Sequence, residues 1–227
     1  MRPFTAAFEE HEGTHERARL RDQLSRVYWL GGGSCAGKST VARRLADRYG
    51  LYLYPTDDRM DEHARRSKPE DSPLLHEFVA MNMDDRWVNR SPAIMLETFH
   101  WFRGEGFQMI IDDLLLISED VRVIVEGFRL LPHLVKPMLS APSHAVWLLP
   151  SPEFRESTVE RRGGRTWNFL AKTSDPERAL QNLLQRDSMF TDRLRRDTKR
   201  LELRAIEVHC AMDEDDSVRS VAEIFDL

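Results

Sequence analysis

An α/β fold built on a five-stranded parallel sheet, with helices on both faces, is the architecture this sequence predicts. Three observations carry the prediction. Short apolar runs alternate five times with helix-patterned segments, the pattern of right-handed strand-helix-strand crossovers. The first run ends in a glycine-rich loop that leads directly into an amphipathic helix. At 227 residues and 41% hydrophobic content, the chain is long enough for one well-buried domain with an insertion and short for two.

Taken in order, residues 1–25 are polar and charged, helix-compatible from Glu16 to Leu24, and read as an extension ahead of a single domain over 26–227. Val27-Tyr28-Trp29-Leu30 is apolar, β-branched and aromatic and predicts a buried strand. Ser39 to Tyr49 carries Val41, Ala42, Leu45 and Ala46 at helical spacing, with Gly50 placed for a left-handed cap. Leu51 to Tyr54 is a second strand, stopped by Pro55 and followed by Asp57-Asp58-Arg59.

Residues 60–118 are helical in pattern and rich in aromatics around Phe99, Trp101, Phe102 and Phe107. Val121 to Val125 predicts a third strand ending at Glu126-Gly127, and Ala145 to Leu149 a fourth ending at Pro150. A basic helix from Glu153 to Arg162, a Gly163-Gly164 break, a long helix from Pro176 to about Leu203, a strand at Ala205 to Val208 and a helix near Ser217 to Phe225 complete the chain.

Composition narrows the class. A charged fraction of 31% with net charge -5 excludes a disordered or membrane-embedded chain and gives no sign of a nucleic-acid binder. The N-terminal stretch lacks the apolar core of a signal peptide, and no segment has the length of a membrane span. Cys35 and Cys210 are too few for a disulfide framework, so a reducing cytoplasm is the expected compartment. Oligomeric state is left open.

Gly32-Gly33-Ser34-Cys35-Ala36-Gly37-Lys38-Ser39 fulfils the pattern G-x-x-x-x-G-K-Ser/Thr between a strand and a helix. Glycines let successive amides turn inward, and the helix adds its positive end, so the loop is a cradle for phosphate. The predicted nucleotide contacts are Gly33, Ser34, Cys35, Ala36, Gly37, Lys38, Ser39 and Thr40, with ATP as the nucleotide. Lys38 is expected to reach the β- and γ-phosphates, and the Ser39 hydroxyl to ligate Mg²⁺.

With that loop in place, the sequence resembles the small P-loop kinases, the group that includes nucleoside monophosphate, shikimate, gluconate, uridine and chloramphenicol kinases. The resemblance covers roughly residues 26 to 227, although the glycine loop is its one specific motif. It implies the P-loop NTPase fold and transfer of the γ-phosphate of ATP to a small-molecule acceptor. It also implies an acid after the second strand that orients the acceptor hydroxyl, a place held here by Asp57, with Asp58 and Arg59 beside it as substrate contacts. Either aspartate equally suits a cap for the helix that follows.

Val123-Ile-Val-Glu126-Gly127 is similar to a Walker B element, which makes Glu126 a candidate for Mg²⁺ or the acceptor; an ordinary strand-end turn explains it too. Arg155, Arg161, Arg162 and Arg165 flank Gly163-Gly164 in residues 151–175, where this family carries a lid. Guanidinium forks meet phosphate oxygens there, and Arg161 and Arg165 are the catalytic candidates. Arg186, Arg193, Arg195 and Arg196 offer further phosphate contacts, and a solvated arginine face is the plainer reading for each. The 60–118 region occupies the acceptor position, with Arg86, Arg90 and the aromatics as candidate pocket walls, although aromatics at helical spacing more often form core.

Asn-Lys-x-Asp and Asp-x-x-Gly strings are absent, which sets a GTPase aside, and no Asp-Glu pair or helical lid domain marks an AAA-type ATPase. Two other readings stay open: a nucleotide or sugar-nucleotide kinase, including the zeta-toxin type, and a non-catalytic ATP-binding regulator.

Overall fold

The computed structural model describes residues 18–167 and 169–227. Five parallel strands form one sheet in the order β2-β3-β1-β4-β5: β1 (Val27–Gly32), β2 (Tyr52–Pro55), β3 (Val123–Glu126), β4 (Ala145–Pro150) and β5 (Arg204–Val208). The predicted α/β architecture is therefore present. Strand ends shift by one to two residues for local reasons. The first strand runs on through Gly31 and Gly32, which pair with Trp147 and Leu148 of β4. Pro55 continues the second strand opposite Glu126, because β2 is an edge and its missing N–H costs no ladder bond.

Alternation along the central strands assigns the two faces. Tyr28, Leu30, Ile124, Val146 and Leu148 pack with α1 (Lys38–Tyr49) and the C-terminal helix α10 (Glu214–Ile224). Trp29, Val123, Val125, Trp147 and Leu149 point the other way, into a second core. That core is completed by α6 (Phe107–Leu115) and α9 (Pro176–Arg200). Strands covered on both faces read as continuous apolar runs, which is why they were visible in the sequence.

Between β2 and β3 lie α2 (Met60–Arg66), α3 (Pro73–Ala80), α4 (Met83–Trp87), α5 (Pro92–Thr98) and then α6, broken at the prolines and glycines of the sequence. α7 (Pro132–Val135) follows β3, and α8 (Pro152–Arg161) follows β4. At 25 residues α9 is about 37 Å long. Its start is fixed by Asp175, which accepts from the Arg178 amide at 3.0 Å, and by Pro176 in the first turn. Of the N-terminal extension, Glu16 lies outside the described residues. Residues 18–23 are helical, and Leu24 is buried against the second core. Among the described residues, no helix is long and apolar enough to cross a membrane.

Candidate active site

The glycine loop joins β1 to α1 at the carboxyl edge of the sheet. Gly37 holds φ 80° at the N-cap of α1, and the first turn has neither a side-chain cap nor an acidic residue. The amides at this helix end therefore lack a side-chain acceptor, as an anion site requires. Lys38 is buried, and its ammonium donates to the Gly33 carbonyl at 2.7 Å, so the charge lies folded into the loop. Gly33 is needed for close packing: a Cβ there would stand 2.6 Å from Thr191 Oγ1 and 2.9 Å from Pro150. Thr191 accepts from Arg155 Nη2 at 2.6 Å. Arg155 is thus a buried strut behind the loop rather than one of the exposed arginines around Gly163.

Two carboxylates meet the loop from neighbouring strands. Ser39 Oγ donates to Glu126 Oε1 at 2.9 Å, while Oε2 is buried without a partner. Burial pushes the Glu126 carboxyl up, Lys38 opposes this, and Asp57 adds to it. Asp57 begins the turn after β2 and accepts from Thr56 Oγ1 at 3.4 Å. Burial pushes the Asp57 carboxyl up too, with Lys38 as the main opposing charge. Its residue surface is nevertheless exposed to the cleft, and solvent there weakens that effect.

Gly127 makes the approach of the two strand ends possible: at φ 153°, a Cβ would fall 1.8 Å from Thr56 Oγ1. Ser39 Oγ and the orphaned Glu126 oxygen are hard donors of the kind Mg²⁺ takes alongside phosphate oxygens. Among the described residues, no group of three or more His, Cys, Asp or Glu could hold an ion by protein ligands alone.

A buried charged framework under this edge escaped the sequence reading. Arg129, 2% exposed, donates from Nη1 to Thr56 O at 3.2 Å and from Nη2 to Gly106 O at 3.2 Å, and it lies 3.9 Å from the centre of the Trp101 ring. Its Nη2 also meets His63 Nδ1 at 2.9 Å. A guanidinium only donates, so Nδ1 accepts, and the ring proton sits on Nε2, which donates to Asp113 Oδ2 at 2.9 Å. Burial, reinforced by Arg129 against Asp113, lowers the His63 pKa and keeps the ring neutral. Burial alone would raise Asp113, but hydrogen bonds from Tyr54, His63 and Arg66 outweigh it and hold the group at about 2. The framework clamps the β2 turn that carries Asp57. The one sequence signal for it is an arginine inside the apolar run Phe128-Arg129-Leu130-Leu131.

One cleft of about 520 Å³ runs from the loop past Asp57 and Glu126 to a wall formed by the 60–118 region. Arg86 lines it, with Nε and Nη2 donating to Phe78 O at 2.9 Å and Val79 O at 2.7 Å. Asp58 and Arg59 are not among its lining residues; Arg59 pairs with Glu62 at 3.5 Å. Arg186 is in the wall, buried and bonded to Asp187 Oδ1. Arg193 and Arg195 instead pair with Glu97 and Glu207.

A second cleft, of about 440 Å³, lies across the loop and is lined by Cys35, Thr40, Phe154, Arg161, Cys210 and Asp213 among others. Arg162 lines both clefts, 3.7 Å from Cys35 Sγ. Arg165 lines neither and pairs with Glu177 at 3.7 Å. Burial pushes the Cys35 thiol up despite Arg162 beside it.

Comparison with known proteins adds an independent line. Residues 27–186 match the profile of a family described as AAA domain. The match holds although Glu126-Gly127 stand where motor-type members carry an Asp-Glu pair. A 2-phosphoglycerate kinase of Methanococcus maripaludis is 26% identical over 200 residues, covering 80% of this chain and 59% of the relative, so the chain spans well under two thirds of that protein's length. An uncharacterized protein from Eubacterium ventriosum is similar at 17% identity and a TM-score of 0.46, covering 88% of this chain and 97% of its own; at that score nothing about the site follows from it.

Proposed function

The chain belongs to the family described as AAA domain and is a small P-loop kinase by family, and from that premise we propose that it transfers the γ-phosphate of ATP to a hydroxyl of a small molecule. The observation that carries the reading is one continuous cleft with uncapped loop amides and Lys38 at one end, Asp57 midway, and a wall of non-polar and polar side chains at the other. A 2-phosphoglycerate kinase among the relatives supports phosphotransfer as the reaction class.

In this reading the loop amides and Lys38 hold the β- and γ-phosphates, and Arg162 closes from the 151–175 segment. Arg161, in the second cleft, faces the nucleoside side of ATP. Ser39 and Glu126 are the residues that would hold Mg²⁺, which when bound neutralises phosphate charge. Asp57 orients the acceptor hydroxyl and takes its proton as the oxygen bonds to the γ-phosphorus and the bond to ADP breaks. Its exposure to the cleft is what gives it access to an acceptor.

ADP release with an acceptor panel tests the proposal through two variants. Lys38→Ala is expected to lose essentially all transfer, and Asp57→Asn to lose 10²- to 10⁴-fold in kcat, the ordinary range for removing a positioned base. A non-catalytic nucleotide-binding regulator would bind ATP, release no ADP, and be indifferent to Asp57→Asn.

A further inference from the structure

One line of side chains crosses the main cleft from the 60–118 wall to the phosphate loop. It starts on α4, where the Trp87 ring centre lies 4.6 Å from that of Phe169, and passes from Phe169 to Trp167 at 5.7 Å. The Arg162 guanidinium lies over the Trp167 ring, 5.7 Å from its centre. Arg162 ends the line at the loop, with Nη1 3.7 Å from Cys35 Sγ.

Arg162 is the member of this line that needs holding. It caps the C-terminus of α8 and precedes Gly163 and Gly164, at φ 108° and 50°, so it sits at the joint of the 151–175 segment. Among the described residues it pairs with no carboxylate, whereas Arg165 is taken by Glu177. A long side chain fixed in one rotamer gives up conformational freedom, and a contact has to offset that loss. A thiol is a weak acceptor; an indole face within about 6 Å of a guanidinium attracts it more strongly.

Trp167 is itself anchored from the opposite wall. Its amide donates to Gly164 O at 3.1 Å, and its ring packs against the buried cluster of Trp87, Leu170, Ala179 and Leu183. The far end of the same turn is pinned where the Ser174 amide donates to Asp84 Oδ1 at 2.7 Å. Asn182 Nδ2 donates to Trp87 O at 3.0 Å and ties α4 to α9. The indole is therefore a fixed platform, and the guanidinium resting on it keeps its charge available for a ligand.

Arg162 lines both the cleft that holds Asp57 and Glu126 and the cleft across the loop. That junction, beside the loop residue Cys35, is where the outermost phosphate of a nucleotide seated on the loop would meet its acceptor. We propose that Trp167 is a positioning residue whose indole face sets Arg162 against the γ-phosphate of bound ATP. This rests on the proposed function in taking the loop as a triphosphate site, and the test separates the positioning role from phosphotransfer.

Calorimetric titration of the full chain with Mg·ADP and with the Mg complex of a non-hydrolysable ATP analogue gives two Kd values. Their ratio reads the contribution of the γ-phosphate without any turnover. Arg162→Met and Trp167→Leu should each reduce that ratio about fivefold, the scale of one cation–π contact. Trp167→Phe, which keeps an aromatic face, should hold it near the wild-type value, and the Arg162→Met/Trp167→Leu double variant should fall no further than Arg162→Met. An unchanged ratio in Trp167→Leu overturns the inference, as do losses that multiply in the double variant, because Trp167 would then act only as packing. ADP release with an acceptor panel runs in parallel. The expected ratios without ADP release from the wild type support the positioning role and refute phosphotransfer; ADP release with unchanged ratios does the reverse.

Discussion

Replacing Arg129 by Met removes the centre of the clamp beneath Asp57, and the structure allows the cost to be worked out. The substitution leaves Gly106 O and His63 Nδ1 without their donor in a buried place, while Thr56 O keeps the Arg59 amide at 3.3 Å. Each unsatisfied group costs about 1–3 kcal/mol, and the lost contact with the Trp101 ring adds about 1–2. Against this stands the desolvation of the guanidinium. Burial, partly offset by Tyr54, Asp57 and Asp113, lowers its pKa from 12.5 to about 10, an unfavourable contribution of roughly 3 kcal/mol that methionine relieves.

The unpaired groups win, with a net destabilisation of about 2–3 kcal/mol at the middle of those ranges. Urea unfolding of the wild type and R129M at neutral pH measures it, with equal m-values as the check that the two-state comparison is sound. A loss under 1 kcal/mol would refute the claim that Arg129 organises this edge. The clamp reading also expects kcat to fall in R129M, at saturating ATP, further than folded fraction explains.

Other consequences follow from single features. His100 holds a native pKa of about 3 against 6.5 when unfolded, so below 6.5 the unfolded chain binds a proton that the native one refuses. Stability is full above pH 6.5 and is lost progressively as pH falls toward 3, by up to about 5 kcal/mol for this group alone. The lowered pKa values of His63, His133 and His144 act with the same sign. In H100F the pH dependence of the urea midpoint should flatten over that window, and an unchanged slope would contradict the neutral-imidazole assignment. Gly127→Ala places a methyl 1.8 Å from Thr56 Oγ1 at a φ of 153°, so a loss of about 3 kcal/mol or more is expected in thermal unfolding, together with loss of ADP release. Cys35 is buried with its thiol pushed up while Cys210 is exposed, so a disulfide reagent at neutral pH should modify Cys210 first; rapid reaction of both would count against the burial of the loop.

What could be read from the sequence divides along the range of the interactions. The strand, loop and first helix are specified by adjacent residues, and Gly32 to Ser39 announces both geometry and chemistry. The sheet is legible because strands buried on both faces leave continuous apolar runs. Strand ends were less legible: Pro55 reads as a stop in isolation and is a strand residue only because β2 lies at the sheet edge. Arg129 meets partners 73, 66 and 23 residues away, so no local spacing marks it. The arginines around Gly163 looked equivalent by composition, yet tertiary packing gives each a different partner: Thr191 for Arg155, Cys35 for Arg162 and Glu177 for Arg165. The aromatics of the 60–118 region proved to be both core and wall: Phe102 stacks on Phe190 at 3.7 Å, and Phe99 lines the cleft.

In the proposed reaction a ring of loop amides closed by Lys38 grips a triphosphate so that its terminal group can be passed on. Calorimetric titration of Mg·ATP into the wild-type chain and into K38A, paired with ADP release, tests this most directly. Saturable 1:1 binding and acceptor-dependent ADP release are expected for the wild type, and loss of both for a K38A chain that unfolds at the same urea concentration. Undiminished ADP release from K38A would contradict it.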